Sequence, residues 1–445
     1  DVFLSSNPQI TFFKVVYRRH TNFSNETIKQ VINGSSGGAT GGGSGNVSIS
    51  RNGDLVHRIY VTAPDDPNED GDNIISSVEV EIGGQKIDKH VKEWNQIWSE
   101  LNMPEAKAAG YKCMTGNVGN ANANVVGQVQ VPLNFWFCRN AGLALPLIAL
   151  QYHEVKLKCE WGSYVGERNV HVDYIYLDTD ERRRFAQVSH EYLIEQVQDM
   201  TQIGATDTSV DLHLNHSVKE LIWTSPATNA YETARVTLNG QDRFENQQEE
   251  YFQLRQPLDH HTAVPGQNVV LSARPQMLAA PLPVMSQLSD VTNSSGTLSS
   301  AASDLTNAPV IGDVLLIAVV DATADGRAPM QVYNTVCTAA STANGFTVAD
   351  APVTSLTSGD VVTVTIVARA QDPLARCSTM TNKINVYSFA LKPEEHQPSG
   401  TCNFSRIDTA QLKLGKALAS AGKLYAVNYN ILRIQAGMGG LAYSN

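Results

Sequence analysis

Glu79-Val80-Glu81-Ile82-Gly83-Gly84-Gln85 and Arg235-Val236-Thr237-Leu238-Asn239-Gly240-Gln241 share one pattern, and the Gly-Gln pair is kept in both. A period of two puts Val80 with Ile82, and Val236 with Leu238, on one face of a strand. Two more echoes follow in the same order. Glu154-Val155-Lys156-Leu157 is matched by Gln411-Leu412-Lys413-Leu414, and Val172-Asp173-Tyr174 by Val427-Asn428-Tyr429. Any one match is weak. Three in one order indicate a duplicated domain, because the same strand order must bury the same apolar positions.

Around these anchors the first half reads as strands. Val129, Val131, Leu133, Phe135 and Phe137 alternate with polar or small neighbours for about ten residues, and the period recurs in Val78 to Ile82, in Val155, Leu157 and Cys159, and in Val170, Val172, Tyr174 and Tyr176. Regular strands separated by turn residues such as Gly162 and Gly166 indicate a sandwich or barrel. One helix stands out, with Val91, Trp94, Ile97, Trp98 and Leu101 on a common stripe, and is expected to be a connection packed on a sheet edge. The two copies differ mainly in one connection. Gly84-Gln85 is followed by the Val129 strand after about forty residues, whereas Gly240-Gln241 is followed by Val386-Tyr387-Ser388-Phe389 after roughly a hundred and forty. The added stretch, Ala263 to Lys383, is too long for a structureless loop. Its runs Val314 to Val320 and Val361 to Val367 predict a small β-rich protrusion, with a flexible Ser-rich stem near Ser286 to Ser303. The expected division is 1–198 for the first sandwich and 199–445 for the second, which carries the insertion at about 263–383.

Bulk properties agree with a folded chain of two or three domains. At 445 residues it exceeds the roughly 250–300 residues at which a single core stops growing. Hydrophobic residues make up 42% and charged residues 17%, which excludes a disordered chain. A net charge of −11 argues against wide contact with nucleic acid, which needs clustered Lys and Arg. Cys113, Cys138, Cys159, Cys337, Cys377 and Cys402 include no close pair of the kind that zinc or redox motifs use, and they read as small buried apolar residues. No run approaches the roughly 20 apolar residues that span a bilayer, and no charged start followed by an apolar core marks a signal peptide. Because the first residue is Asp1 rather than Met, a short natural N-terminal stretch is expected ahead of it.

Candidate chemistry is thin. The run Gly37 to Gly45 lacks the Lys-Ser/Thr ending and following helix of a phosphate loop, and is expected to be a flexible surface loop. His213, His216 and Glu220, with His260-His261 beyond, have poor spacing for a metal, since His213 and His216 would leave opposite faces of a strand. Glu154 and Glu160 lie on or near a strand, but no motif marks them as a hydrolytic pair. Arg182-Arg183-Arg184 follows Asp178, Asp180 and Glu181, and reads as a local ion-pair network rather than a nucleic-acid patch. Asn-x-Ser/Thr sequons at Asn22, Asn25, Asn33, Asn46, Asn215, Asn293 and Asn403 are possible glycan acceptors. The rival reading is a carbohydrate-binding sandwich displaying some of Trp94, Trp98, Trp136, Trp161 and Trp223, although most of these suit core or helix anchors better.

The opening Asn7-Pro8-Gln9-Ile10-Thr11-Phe12-Phe13-Lys14-Val15-Val16-Tyr17-Arg18-Arg19-His20-Thr21-Asn22-Phe23 resembles the start of the major capsid proteins of nucleocytoplasmic large DNA viruses. Ile82 to His90, Leu145 to Val155, Asp178 to Gln187, His190 to Gln196, Leu238 to Phe244, Pro398 to Asp408 and Gly437 to Tyr443 are similar to the same family, as it occurs in algal and amoebal viruses. The resemblance implies an all-β double jelly roll: two tandem eight-stranded antiparallel sandwiches with short helices in the connections. It further implies a homotrimer of pseudo-hexameric outline that tiles an icosahedral shell assembled in the host cytoplasm. The implied partners are neighbouring capsomers and minor capsid proteins. The internal viral membrane is then reached mainly through other proteins, without direct nucleic-acid contact, cofactor or catalysis. Trimer contacts are expected to be large and apolar, and contacts between trimers smaller and more polar.

Overall fold

The computed structural model describes residues 6–38, 41–66, 69–117, 127–227, 231–269, 276–288, 291–294, 297–300, 307, 309, 313–320, 331–342, 345–350, 361–369, 376–418 and 420–443. They form two compact units, Asp1–Asn268 with Cys377–Asn445, and Val269–Arg376.

Sixteen strands form the two jelly rolls of the first unit, and shorter ones at Ile32–Gly34, Leu145–Pro146, Gln247–Gln248, Cys402–Asn403 and Met438–Leu441 pair beside them. Eight belong to the first half: β1 (Phe23–Gln30), β2 (Ser44–Ser48), β3 (Leu55–Pro64), β4 (Ile75–Ile82), β5 (Gln85–Val91), β6 (Gln128–Pro132), β7 (Val155–Trp161) and β8 (Asn169–Leu177). Eight belong to the second: β9 (His190–Ile203), β10 (Ser209–Asp211), β11 (Ser217–Ser225), β12 (Thr233–Leu238), β13 (Gln241–Asp242), β14 (Lys383–Ser388), β15 (Ala410–Leu414) and β16 (Gly422–Gln435). The antiparallel sheets run β1-β8-β3-β6 and β2-β7-β4-β5 in the first half, and β9-β16-β11-β14 and β10-β15-β12-β13 in the second. Adding eight to each strand number converts one half into the other. This is a double jelly roll, and one pair of short accessory strands corresponds too, with Leu145–Pro146 beside β3 and Cys402–Asn403 beside β11. Residue 198 lies within β9, whose pairing with β16 begins at His190.

Local sequence explains the strands. In β7, Val155, Leu157, Cys159 and Trp161 face the core while Lys156, Lys158 and Glu160 face outward. The repeat found in the sequence falls on equivalent strands, with one correction of register. Val80 sits opposite Leu157 and Val236 opposite Leu412, so Leu157 corresponds to Leu412 rather than to Leu414. A slip of two residues keeps the same face inward, so alternation alone could not detect it. The third echo marks a shared irregularity. Pairing shifts between Val172 and Tyr174 on β8, against β3, and at Lys219 on β11, against β16.

Three expectations change. The strand from Val129 stops at Pro132, and the chain turns into a short helix, α3 (Trp136–Arg139). Phe135, Trp136 and Phe137 are all buried, which a half-exposed strand cannot achieve. The helix α1 (Lys92–Asn102) packs on a sheet face rather than an edge. Trp94, Ile97 and Leu101 cluster with Ile222, Ile384, Val386, Tyr425 and Val427 of the second roll. It ends where Met103, preceding Pro104, is driven to an extended conformation, and α2 (Glu105–Met114) follows. The described part of the glycine run is held rather than loose. Gly42 N–H donates to the Gly162 carbonyl and the Trp161 indole to the Ser35 carbonyl. A Cβ at Gly37, whose φ is +88°, would lie 1.5 Å from the buried Arg168 guanidinium, so glycine is required there.

The inserted unit is a β structure with its own core, which includes Val284, Leu298, Leu315, Ile317, Phe346, Val364 and Ile366. Strands Gln276–Leu288, Val361–Arg369, Val314–Val320, Gln331–Thr342, Gly345–Val348, Thr297–Ser300 and Val291–Ser294 pair in that order. The expected flexible stem is therefore mostly strand over its described residues. Ser303 lies outside them.

Trp94→Ala removes the largest ring between α1 and the second roll, and should cost about 3–5 kcal/mol. Urea denaturation followed by far-UV circular dichroism checks it.

Candidate functional site

The strands β9 and β16 are each fourteen residues long and outrun their own sandwich. Ile194 on β9, with Leu432 and Ile434 on β16, belongs to the core of the first roll. The junction of the two rolls is thus one hydrophobic body with a polar seam along it.

The seam starts at the shift in β11. A bulge re-aims a side chain that regular alternation would place elsewhere, and here the side chain is Lys219, which is 0% exposed. Its ammonium is 2.7 Å from Glu195 Oε1 on β9 and lies 5.5 Å from the centre of the Tyr429 ring. It also donates to the Pro393 carbonyl. The other oxygen of Glu195 accepts from Arg139 Nη1 at 2.7 Å. Arg139, at the end of α3, donates through Nε to the Asn134 carbonyl, and its guanidinium stacks 3.5 Å above Trp98 of α1. One carboxylate of the second roll is therefore shared between a cation of each roll.

Beside it lies a second group. His261 Nε2 forms a 3.1 Å ion pair with Glu220, and Nδ1 is 2.8 Å from Glu394. Glu394 also accepts from the Thr262 N–H. Burial alone would lower the His261 pKa, but the two carboxylates outweigh it and raise it to about 9. Burial alone would raise the Glu220 carboxyl, but the imidazolium, with Lys219 and Arg139 behind it, holds it below the ordinary value. A cleft of about 450 Å³ adjoins the seam, lined by Arg58, Trp98, Asn102, Tyr111, Arg139 and Glu394. With acids and bases paired in this way the seam can hold surfaces together, and burial pushes the Cys138 thiol, which also lines the cleft, up to about 12.

The frame also grips both ends of the insertion. Where the chain leaves, the Asn268 side chain donates to the carbonyls of Gln253 and Ile384 and accepts from the Ile384 N–H. Where it returns, the buried Glu100 carboxylate on α1 accepts from the N–H groups of Cys377 and Ser378, at 2.8 and 2.7 Å, and from the Ser378 hydroxyl.

The residues singled out in the sequence are scattered. His213 is exposed and His216 half-buried, and only Glu220 and His261 of that set meet. Among the described residues no group of three His, Cys, Asp or Glu side chains is arranged to hold a metal. Glu154 pairs with Lys156, and Glu160 accepts from Ser77. The arginine run is not the local network expected. Asp178 caps the helix α4 (Thr179–Gln187), and Arg182 pairs with the distant Asp54. Trp94, Trp136, Trp161 and Trp223 are buried and Trp98 lies under Arg139, which leaves no tryptophan platform for a sugar. The cysteines are free thiols: Cys159, Cys337 and Cys377 are buried, and Cys113, Cys138 and Cys402 half-buried. Asn22, Asn25, Asn33, Asn46, Asn215 and Asn403 are exposed, and Asn293 lies on a strand of the inserted unit. Lys219, Glu195 and Arg139 went unnoticed, although the Lys-Glu pair in the otherwise apolar β11 was a visible signal.

The pH dependence follows from the direction of the shifts. A His with a raised pKa stabilises fully below its unfolded value near 6.5 and loses that contribution as pH rises through about 9. The lowered Glu220 contributes above the ordinary 4.5 and loses its contribution in acid below it. Thermal melts from pH 6.5 to 10 should show roughly 2–3 kcal/mol lost in the parent protein. The loss should be largely absent from His261→Gln, whose stability starts lower and stays flatter.

Comparison with known proteins agrees with the fold. Residues 11–165 match the family described as the major capsid protein N-terminus, and residues 371–440 that described as large eukaryotic DNA virus major capsid protein. The chain is 41% identical over 478 residues to the major capsid protein of Pyramimonas orientalis virus, covering 100% of this chain and 96% of that one. It is 34% identical over 541 residues to that of Paramecium bursaria Chlorella virus 1, covering 100% and 97%. The quasi-atomic model of the PBCV-1 virus capsid superimposes with a TM-score of 0.62 at 29% identity, over 98% of this chain and 100% of that one. The Faustovirus major capsid protein shares the fold, with a TM-score of 0.51 at 11% identity over 96% and 93%. A capsid subunit has no need of a catalytic centre, and a seam of neutralised charges between two like sandwiches suits one: the chain belongs to the major capsid proteins of the nucleocytoplasmic large DNA viruses.

Proposed function

We propose that this capsid protein assembles as a homotrimer of pseudo-hexameric outline and that these capsomers tile an icosahedral shell. The observation that carries the reading is the strand-for-strand equivalence of β1–β8 and β9–β16. Two like wedges per chain become six around a threefold axis. Such a ring is head-to-tail, so the first roll of each copy meets the second roll of the next, and it closes only if the two wedges of one chain keep a fixed angle. The buried seam between the rolls supplies that rigidity.

The same reading extends to the setting. Contacts within the trimer are large and apolar, and those between trimers smaller and more polar. Minor capsid proteins join the capsomers and stand between them and an internal membrane, and assembly takes place in the host cytoplasm. The chain acts as two duplicated domains that divide ahead of β9, near residue 190 rather than 198, and the second carries the insertion. The exposed sequons Asn22, Asn25, Asn33, Asn46 and Asn215 are candidate glycan acceptors, together with Asn293. Asn403, also exposed, is a further candidate.

Light scattering of the purified protein should give three times the 48.3 kDa of the chain, and negative-stain images a hexagonal outline. A monomer under all conditions, including with its minor capsid partners present, would overturn the reading.

A further inference from the structure

The segment leading into β1 does not pack on its own chain. Ile10, Phe12, Phe13, Val16 and Tyr17 are between 71% and 98% exposed, with Phe13 the most exposed. Lys14, Arg18 and Arg19 lie among them, and no acid occurs from Val2 to Asn25, in a chain of net charge −11. Apolar rings of this kind at a surface mark a contact. β1 itself forms the end of its sheet, pairs only with β8 among the described residues, and is exposed along most of its length.

The second roll carries a surface of opposite character. Leu258 is 72% and Leu391 74% exposed, and the two segments are held together where His260 Nδ1 meets the Leu391 carbonyl at 3.0 Å. The segments 244–260 and 389–396 contain six acids against two bases, Arg255 and Lys392. Both bases are engaged, with Asp259 and Glu395, and Glu249 and Glu394 pair with Lys383 and His261, so the acidic character open to a partner is that of the exposed Glu245 and Glu250.

We propose that the basic, aromatic arm 7–22 of one copy docks on the Leu258–Leu391 surface of the second roll of a neighbouring copy. The inference rests on the head-to-tail ring described above. That ring brings the first roll of one copy, from which the arm springs, against the second roll of the next. Sixteen extended residues span about 50 Å, enough to cross such an interface. Aromatic side chains cover the two leucines while Lys14, Arg18 and Arg19 face the acidic rim, which gives one arm one seat per copy and three per ring. The fully buried Lys219 ammonium is not reached by this contact.

Trypsin accessibility and cross-linking of the full chain test the proposal. In the assembled trimer, cleavage after Lys14, Arg18 and Arg19 should be slow, and Leu258→Asp combined with Leu391→Asp should speed it by about ten-fold. Both leucines are surface residues, so an unchanged circular dichroism melt of the double variant shows that the fold is intact. A photoreactive p-benzoylphenylalanine at Phe13, in trimers reassembled from isotopically light and heavy chains, should join the arm to residues 251–260 or 389–395 of a chain with the other label. A trimer whose arm is cleaved freely, or cross-links only within its own chain or to another surface, overturns the proposal and leaves the trimer standing. An arm protected only by anionic phospholipid vesicles overturns it in favour of a lipid surface. A protein that sizes as a monomer removes both readings.

Discussion

The antiparallel ladder between β9 and β16 is the interaction on which the remaining architecture hangs. It pairs the two strands from His190 opposite Ile434 to Ile203 opposite Gly422, and it is longer than one sandwich needs. Its far end delivers Ile194, Leu432 and Ile434 into the first core, while the rest of it helps to build the second. A short flexible linker would have left the rolls free to move, since inter-domain interfaces are mobile unless large and hydrophobic. Backbone pairing that runs through both cores, with one register shift between Asp199 and Gln202, removes that freedom. The helix α1 reinforces it from the other side, laying Trp94, Ile97 and Leu101 on the outer face of the second roll.

Once the two cores are joined, the polar seam becomes intelligible. A buried ion pair gains little over well-packed apolar groups, but removing one member leaves the other charged and buried, at a cost of about 3–5 kcal/mol. The arrangement around Glu195 therefore serves orientation more than net stability. Arg139 comes from the first roll and Lys219 from the second, and both reach their best geometry only at one relative position of the rolls. Such interactions penalise every other angle between the rolls. The clamps at Asn268 and Glu100 belong to the same design, because they let the frame carry a large insertion without opening its own core.

Legibility differed from element to element. β7, with its strict alternation of Val155, Leu157, Cys159 and Trp161, could be read directly, and so could the apolar stripe of α1. The run through Phe135 and Phe137 misled because all its rings are buried, so an apparent period of two hid a strand that ends and a helix that begins. The Ser-rich stretch after Ser286 reads as a stem from its composition, yet its described residues pair as strands, since weak β-formers are recruited by neighbours that the local sequence does not name. The seam was nearly invisible. Glu195, Lys219 and Arg139 are ordinary charged residues until a register shift turns one of them inward.

By itself, then, the sequence determined that this protein is a duplicated all-β chain, because burying one face of a strand demands a period of two and a repeated fold demands that the period recur in order. Blocks such as Asn7 to Phe23 also resemble the major capsid proteins of large DNA viruses, and the comparisons bear that family out. Tertiary structure alone decided how the halves are joined, which charges are shared across the seam, and which surfaces of the arm and of the second roll stay open. Those depend on contacts between residues such as Arg139 and Glu195 that are far apart along the chain, and on a bulge that alternation cannot encode.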